Sequence, residues 1–183
     1  MIRRFLFQSL IFCILAELMS CKTNKLENKT YEISRIAFAS GGCYGACPLL
    51  AIEIDSSLNY KFYGGRYSDM PGYYVGKISQ ELWDSINTKF EKVDFKHLDT
   101  SYQFSVDDLA TQTIIFYSNT RKIVNAQSAS LPGAVDSLLT WLMYSYRKVK
   151  LVESKDSLTF YSTMQYPKFP APMFKFVTPK VGH

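Results

Sequence analysis

Two cysteines, Cys43 and Cys47, are the residues of this chain whose type and spacing could do chemistry. Thiols at a C-x-x-x-C spacing can close a disulfide, exchange electrons as a dithiol pair, or supply two ligands of a metal ion. They lie in an octapeptide with three glycines and a proline, which predicts a rigid, tightly turned loop between two strands. In this loop Gly45 would take the positive φ of a tight turn. The predicted motif loop consists of Cys43 and Cys47 with Gly41, Gly42, Tyr44, Gly45, Ala46 and Pro48.

The three interpretations of the cysteine pair differ in what they require around it. A structural disulfide requires an oxidising compartment and Cα atoms close enough to bridge. A redox dithiol usually has a C-x-x-C spacing at a helix start in a βαβ unit, whereas here Pro48 follows a wider spacing. A zinc site requires further ligands, and neither His97 nor His183 stands at a ligand spacing from the cysteines. The pattern favours the disulfide, keeps the redox pair as the alternative, and predicts no metal site and no cofactor.

The N-terminal segment has the pattern of an export signal. Arg3 and Arg4 precede a mostly apolar stretch over residues 5–19, which is too short and too interrupted for a comfortable transmembrane helix. It ends in Leu-Met-Ser before Cys21, which resembles a bacterial lipobox. We therefore expect a lipoprotein signal peptide over residues 1–20, lipidation of Cys21, and a polar, flexible tether over residues 21–31. An ordinary secretory signal or an N-terminal membrane anchor is the alternative.

The octapeptide from Gly41 to Pro48, followed by an apolar strand, resembles the GGCxGxCP signature of the DUF6438-like family. These are uncharacterised bacterial envelope proteins, numerous in Bacteroidetes and often lipoproteins. The likeness runs from about Ser34 to Arg147, by the order of elements. It implies a fold and a location, but no activity, because the family brings none.

The remaining pattern predicts one α+β domain over residues 32–161 and a C-terminal tail rich in proline and aromatic residues over 162–183. We expect an antiparallel β-sheet packed against two α-helices on one face. Ser79 suits the N-cap of the first helix, and Tyr146 would lie on the buried face of the second. A short strand pair is expected around Ser154-Lys155-Asp156. Strand-like alternation occurs at residues 32–40, 49–55, 58–63, 73–78, 110–117 and 121–126.

No catalytic constellation stands out in the sequence. It has no nucleophile elbow, phosphate loop, dinucleotide fingerprint or zinc-binding helix. Asp107 and Asp108 are poor acid–base partners because neighbouring residues on a strand point to opposite faces. The basic cluster at residues 147–150 is explained by the end of a helix, without nucleic acid.

The functional hypothesis is a lipid-anchored protein of the bacterial cell envelope that binds a partner and is not an enzyme. The outer membrane and its periplasmic face are favoured, because the tether lacks a run of acidic residues that resembles a surface-export signal. The expected partners are the membrane, through the N-terminal lipid, and an envelope protein or glycan. The alternative is a periplasmic thiol–disulfide redox protein that uses Cys43 and Cys47.

Overall fold

The computed structural model describes residues 32–103, 108–162 and 164, which form one α+β unit. The predicted signal peptide, Cys21, the tether, Asp107 and the tail beyond residue 164 lie outside the described residues. The strands are β1 (Ile33–Ser40), β2 (Leu50–Asp55), β3 (Asn59–Gly64), β4 (Gly72–Lys77), β5 (Ser101–Tyr102), β6 (Ala110–Tyr117), β7 (Arg121–Gln127) and β8 (Leu151–Glu153). The helices are α1 (Gln80–Lys92) and α2 (Gly133–Met143), with short 3-10 turns at Phe95–His97, Ser128–Ser130 and Ser145–Lys148.

The eight strands of the described residues form one mixed sheet in the order β5-β7-β6-β1-β2-β3-β4-β8. The α+β class is confirmed, but the prediction of a purely antiparallel sheet is wrong. The chain leaves α1 through a 3-10 turn and runs beside β7 in the same direction, so that Ser101 pairs with Asn125 and Tyr102 with Ala126. The backbone N–H of Asn125 also donates to the carbonyl oxygen of Thr100 at 3.0 Å. Every other neighbouring pair of strands is antiparallel.

The two helices begin where local chemistry favours a helix start. The hydroxyl oxygen of Ser79 accepts the N–H of Leu82 at 3.3 Å and so caps α1, as predicted. Pro132 precedes α2, which ends at Met143. Tyr146 is buried, as predicted, but it lies in the 3-10 turn that follows and not in this helix. The buried faces of α1 and α2 share one core with alternate residues of the sheet; it includes Trp83, Ile86, Phe90, Leu138, Leu139, Leu142, Ile36, Phe38, Ile52 and Phe62.

The face of the sheet opposite the helices, hereafter the outer face, carries small and polar side chains together with aromatic ones such as Phe116 and Tyr63. Ala39 and Ala51 lie on it and are buried. The strand pair predicted around Ser154 is wrong, because β8 pairs with β4 and no partner strand follows it among the described residues. Instead, residues 157–162, hereafter the strap, run over the outer face. Within the described part of the chain, no helix is long and apolar enough to span a bilayer.

Candidate functional site

The motif loop connects β1 to β2, and its two cysteines lie at disulfide distance. The Sγ atoms of Cys43 and Cys47 are 1.99 Å apart and the Cα atoms 5.7 Å apart. The base of the loop is held separately: the buried Ser40 hydroxyl donates to the Pro48 carbonyl oxygen at 2.6 Å, and the Gly41 N–H donates to the Ala110 carbonyl oxygen at 2.8 Å. The loop is therefore tied to the sheet at its base and bridged at its shoulders.

One motif glycine, Gly45, does not have the backbone conformation that the sequence predicted. Gly45 does not take a positive φ; among the glycines of the described residues, only Gly72 does, at 119°. The Gly45 N–H instead donates to the Sγ atom of Cys43 at 3.2 Å. A side chain at Gly41 would come within 2.6 Å of the Met164 terminal methyl group, whereas one at Gly42 would meet nothing within 4 Å.

The motif loop carries a solvent-exposed tyrosine, and the residue that follows this loop is hydrogen-bonded to the loop after β3. Tyr44 is 91% exposed. The backbone of Leu49 exchanges two hydrogen bonds with the loop after β3, donating to the Arg66 carbonyl oxygen at 2.9 Å and accepting the Gly65 N–H at 2.8 Å. Arg66 lies over the ring of Tyr67 at 4.5 Å, and Tyr67 is 51% exposed.

We name the exposed residues Tyr44, Arg66 and Tyr67 on these two hydrogen-bonded loops the loop pole. Tyrosine and arginine are the residue types that most often contribute binding energy at protein interfaces. Sequence reasoning missed Arg66 and Tyr67 because they lie between the predicted strands at residues 58–63 and 73–78, where the sequence shows no alternation. An arginine and a tyrosine directly after a strand-ending glycine pair was the available signal.

A cluster of three residues joins the loop after β3 to the 3-10 turn that follows α2. The Tyr146 hydroxyl donates to one oxygen of Asp69, and the guanidinium of Arg147 donates to the other at 2.7 Å. Together with Met70 and Val149 these residues line an open pocket with a volume of about 350 Å³. The Tyr146 ring stacks on Phe62 at 4.4 Å between centroids.

The hydrogen bonds within this cluster favour a charged Asp69 and a neutral Tyr146. The Tyr146 hydrogen bond, assisted by Arg147, lowers the pKa of Asp69. Burial and the hydrogen bond to Asp69 raise the pKa of Tyr146. The carboxylate therefore stays charged and the phenol neutral at neutral pH, so neither is prepared for proton transfer. The basic end that was attributed to a helix dipole instead supplies Arg147 to an ion pair with a residue distant in sequence.

The remaining candidate residues do not gather into a site. His97 is exposed, and its Nδ1 atom lies 2.7 Å from an oxygen of Asp94. His183 and Asp107 lie outside the described residues. Where the structure describes the chain, no group of three or more His, Cys, Asp or Glu side chains could hold a metal ion.

Comparison with known proteins identifies the domain by its sequence. A family model described as a domain of unknown function (DUF6438) matches residues 34–146, which is more than half of the chain. The match covers the motif loop, the loop pole and both helices, and confirms the resemblance expected from the octapeptide. No curated protein matches the chain.

Proposed function

The chain belongs to the DUF6438 family of domains of unknown function, and from this premise we propose that it is a lipid-anchored protein of the bacterial cell envelope that binds a partner through its loop pole. The proposed anchor is a lipid on Cys21, and the proposed location is the periplasmic face of the outer membrane. The partner class is an envelope protein or glycan. The proposed role is non-catalytic.

The observation that carries the proposal is the position of the motif loop relative to the start of the domain. Strand β1 begins at Ile33, directly after the proposed tether, and ends at Ser40, where the motif loop begins. Eight residues in a strand extend about 25 Å, because each residue advances roughly 3.3 Å. A domain tethered at the start of β1 would therefore hold the loop pole at the end farthest along that strand from its anchor.

The chemistry of the loop pole supports a binding role. Tyr44 stands on a loop that the disulfide and the backbone bonds to the sheet hold in place, so little conformational entropy would be lost when a partner covers it. Tyr67 lies under Arg66, whose guanidinium nitrogen also donates to the tyrosine hydroxyl oxygen at 2.5 Å. Two amphipathic rings and a cation suit a protein surface or the ring face of a sugar.

The test is photo-crosslinking in cells that produce the full-length chain. A benzophenone amino acid at position 44 should give an adduct with an envelope component. The matched control is position 57, because Ser57 is also exposed to solvent but lies in the turn between β2 and β3, at the opposite end of the sheet. Adducts of equal yield from both positions, or none from position 44, would refute binding at the loop pole.

Anchoring is tested separately by Cys21→Ala. The wild-type chain should incorporate radiolabelled palmitate and be processed to the mature mass, whereas the variant should do neither. A Cys21→Ala protein that still labels and matures would remove the lipid anchor from the proposal. The result for the loop pole would stand independently.

A thiol–disulfide redox protein is the second candidate, because one contact favours it. The Gly45 N–H that donates to the Cys43 Sγ atom would also stabilise a thiolate there. Against it, the pair lies in a loop between two strands and not at a helix start. A reduction potential below about −300 mV fits a structural bridge, and one well above it fits a redox pair.

A further inference from the structure

A buried carboxylate lies on the outer face of the sheet, on the side opposite the core that the sheet forms with the helices. Glu53 on β2 is 3% exposed. Its Oε1 atom accepts a hydrogen bond from Lys61 Nζ at 3.1 Å, and Arg35 Nε lies 3.9 Å from the same oxygen. Its Oε2 atom accepts the backbone N–H of Tyr161 at 3.3 Å. A buried carboxylate needs such partners on both oxygens, and here the strap supplies one of them.

Two further hydrogen bonds join the sheet to the strap, one to a carbonyl oxygen of the strap and one from a hydroxyl group of the strap. Lys61 Nζ donates to the carbonyl oxygen of Thr159 at 3.4 Å. The Ser162 hydroxyl donates to Gln112 Oε1 at 2.9 Å. With the backbone N–H bond described above, these hydrogen bonds involve two main-chain groups of the strap and one side-chain hydroxyl. Main-chain hydrogen bonds of this kind are used where proteins recognise extended peptides.

The aromatic ring of the strap has its own place on the sheet. Arg35 lies over the Tyr161 ring at 4.8 Å, and Phe116 meets the same ring edge-on at 5.0 Å between centroids. Such cation–π and aromatic contacts select for an aromatic side chain at this position. The ring remains 50% exposed, so the strap lies on the sheet surface and is not part of the core.

The residues matched by the family model include the sheet surface that holds the strap, but not the strap itself. The sheet residues that hold the strap, Arg35, Glu53, Lys61, Gln112 and Phe116, all fall within the matched residues 34–146. The strap lies beyond them. The matched domain therefore supplies the receiving surface, and the extension of this chain supplies the segment that lies on it.

We propose that the outer face is a binding site for an extended, uncharged peptide segment of a partner protein, and that the strap of this chain occupies it in cis. The segment carries an aromatic residue followed directly by a serine or threonine. Its main chain is read by Glu53 and Lys61, its ring by Arg35 and Phe116, and its hydroxyl by Gln112. The strap is then an autoinhibitory ligand that a partner segment must displace.

The strap and a partner peptide would compete for the same site, and this competition determines in which variants peptide binding can be measured. A ligand tethered by a short linker has an effective concentration in the millimolar range. A peptide added in solution therefore competes poorly with the intact strap, but binds freely once the strap can no longer fill the site.

The test uses the full-length chain and a fluorescent peptide with the sequence of residues 157–164. In the open variant, Tyr161→Ala and Ser162→Ala are combined. Fluorescence anisotropy should show that the open variant binds the peptide at least about tenfold more tightly than the wild-type chain does. Adding Glu53→Gln to the open variant should weaken binding, while Asp84→Asn, a carboxylate on α1 that contacts Gln80, should not.

Four results would overturn the proposal. The first is a folded open variant that binds no peptide at millimolar concentration, and the second is equal binding of a peptide with alanines at both positions. The third is failure of the open variant to fold, which would mean that the strap is a structural element. Hydrogen exchange of the wild-type chain gives an independent answer. The Tyr161 amide should exchange through local opening, faster than the amides of β1 and β2. Exchange at their rate, through global unfolding alone, would equally overturn the proposal.

Discussion

Removing the bridge of the motif loop should destabilise the domain by a small, calculable amount. The perturbation is the double substitution Cys43→Ser and Cys47→Ser. The bridge joins residues with a separation of four in sequence, and the chain-entropy relation for so short a loop gives about 2 kcal/mol at 25 °C. For a chain of this size, that loss should lower the Tm by roughly 4–8 °C.

Other contacts of the motif loop should limit the loss of unfolding free energy to this amount. The backbone and hydroxyl bonds at the base of the loop, from Gly41 to Ala110 and from Ser40 to Pro48, do not depend on the sulfurs. The sheet should therefore keep its far-UV circular dichroism, and only the loop should loosen.

The assay is urea unfolding followed by tryptophan fluorescence, with Tyr44→Ser as the matched control. That control changes an exposed residue of the same loop and leaves the bridge intact, so its free energy of unfolding should stay within about 0.5 kcal/mol of wild type. A loss above about 4 kcal/mol would show that the bridge supports the whole sheet. An unchanged free energy of unfolding would show that the cysteines are not bridged in the purified protein.

Two further outcomes follow from the loop after β3. Gly64→Ala should destabilise the protein by about 1–3 kcal/mol in thermal unfolding, because the new Cβ would overlap the carbonyl oxygen of Met70; Gly42→Ala, which meets nothing within 4 Å, should change the Tm little, and equal shifts for both would contradict the overlap. Asp69→Asn should be less stable than wild type at neutral pH, and the difference should shrink as the pH falls below about 4. The sign follows because Tyr146 holds the pKa of Asp69 below its ordinary value in the folded state, so the stabilisation is present above the unfolded pKa and lost as the pH falls through the folded one; a difference that persists unchanged to pH 2 would refute it.

The order of the main elements could be predicted because their signals are local. The first four strands, α1, the β6–β7 hairpin and the start of α2 all follow from periodicity, turn residues and caps near each element. The family, too, could be predicted, because its signature is a contiguous octapeptide that lies in one loop.

The features that were missed depend on residues distant in sequence. Strand β5 has two residues, Ser101 and Tyr102, which are too few to show any alternation, and its direction is fixed by β7. The contact of Tyr161 with Glu53 spans 108 positions, and the ion pair of Arg147 with Asp69 spans 78. Periodicity reports which face of an element is apolar, but not which distant segment will cover a polar one.

The central place of β1 in the sheet has a consequence for the order in which the fold can be completed. Strands β2, β3 and β4 can add to one side of β1 through consecutive hairpins, as each emerges. The other side pairs with β6, where Ala37 faces Ile114 across a long intervening stretch of chain. Closing so long a loop is slow. Until β6 arrives, the middle strand of the final sheet is an open apolar edge, so the first half of the chain is exposed to pairing with other chains during synthesis.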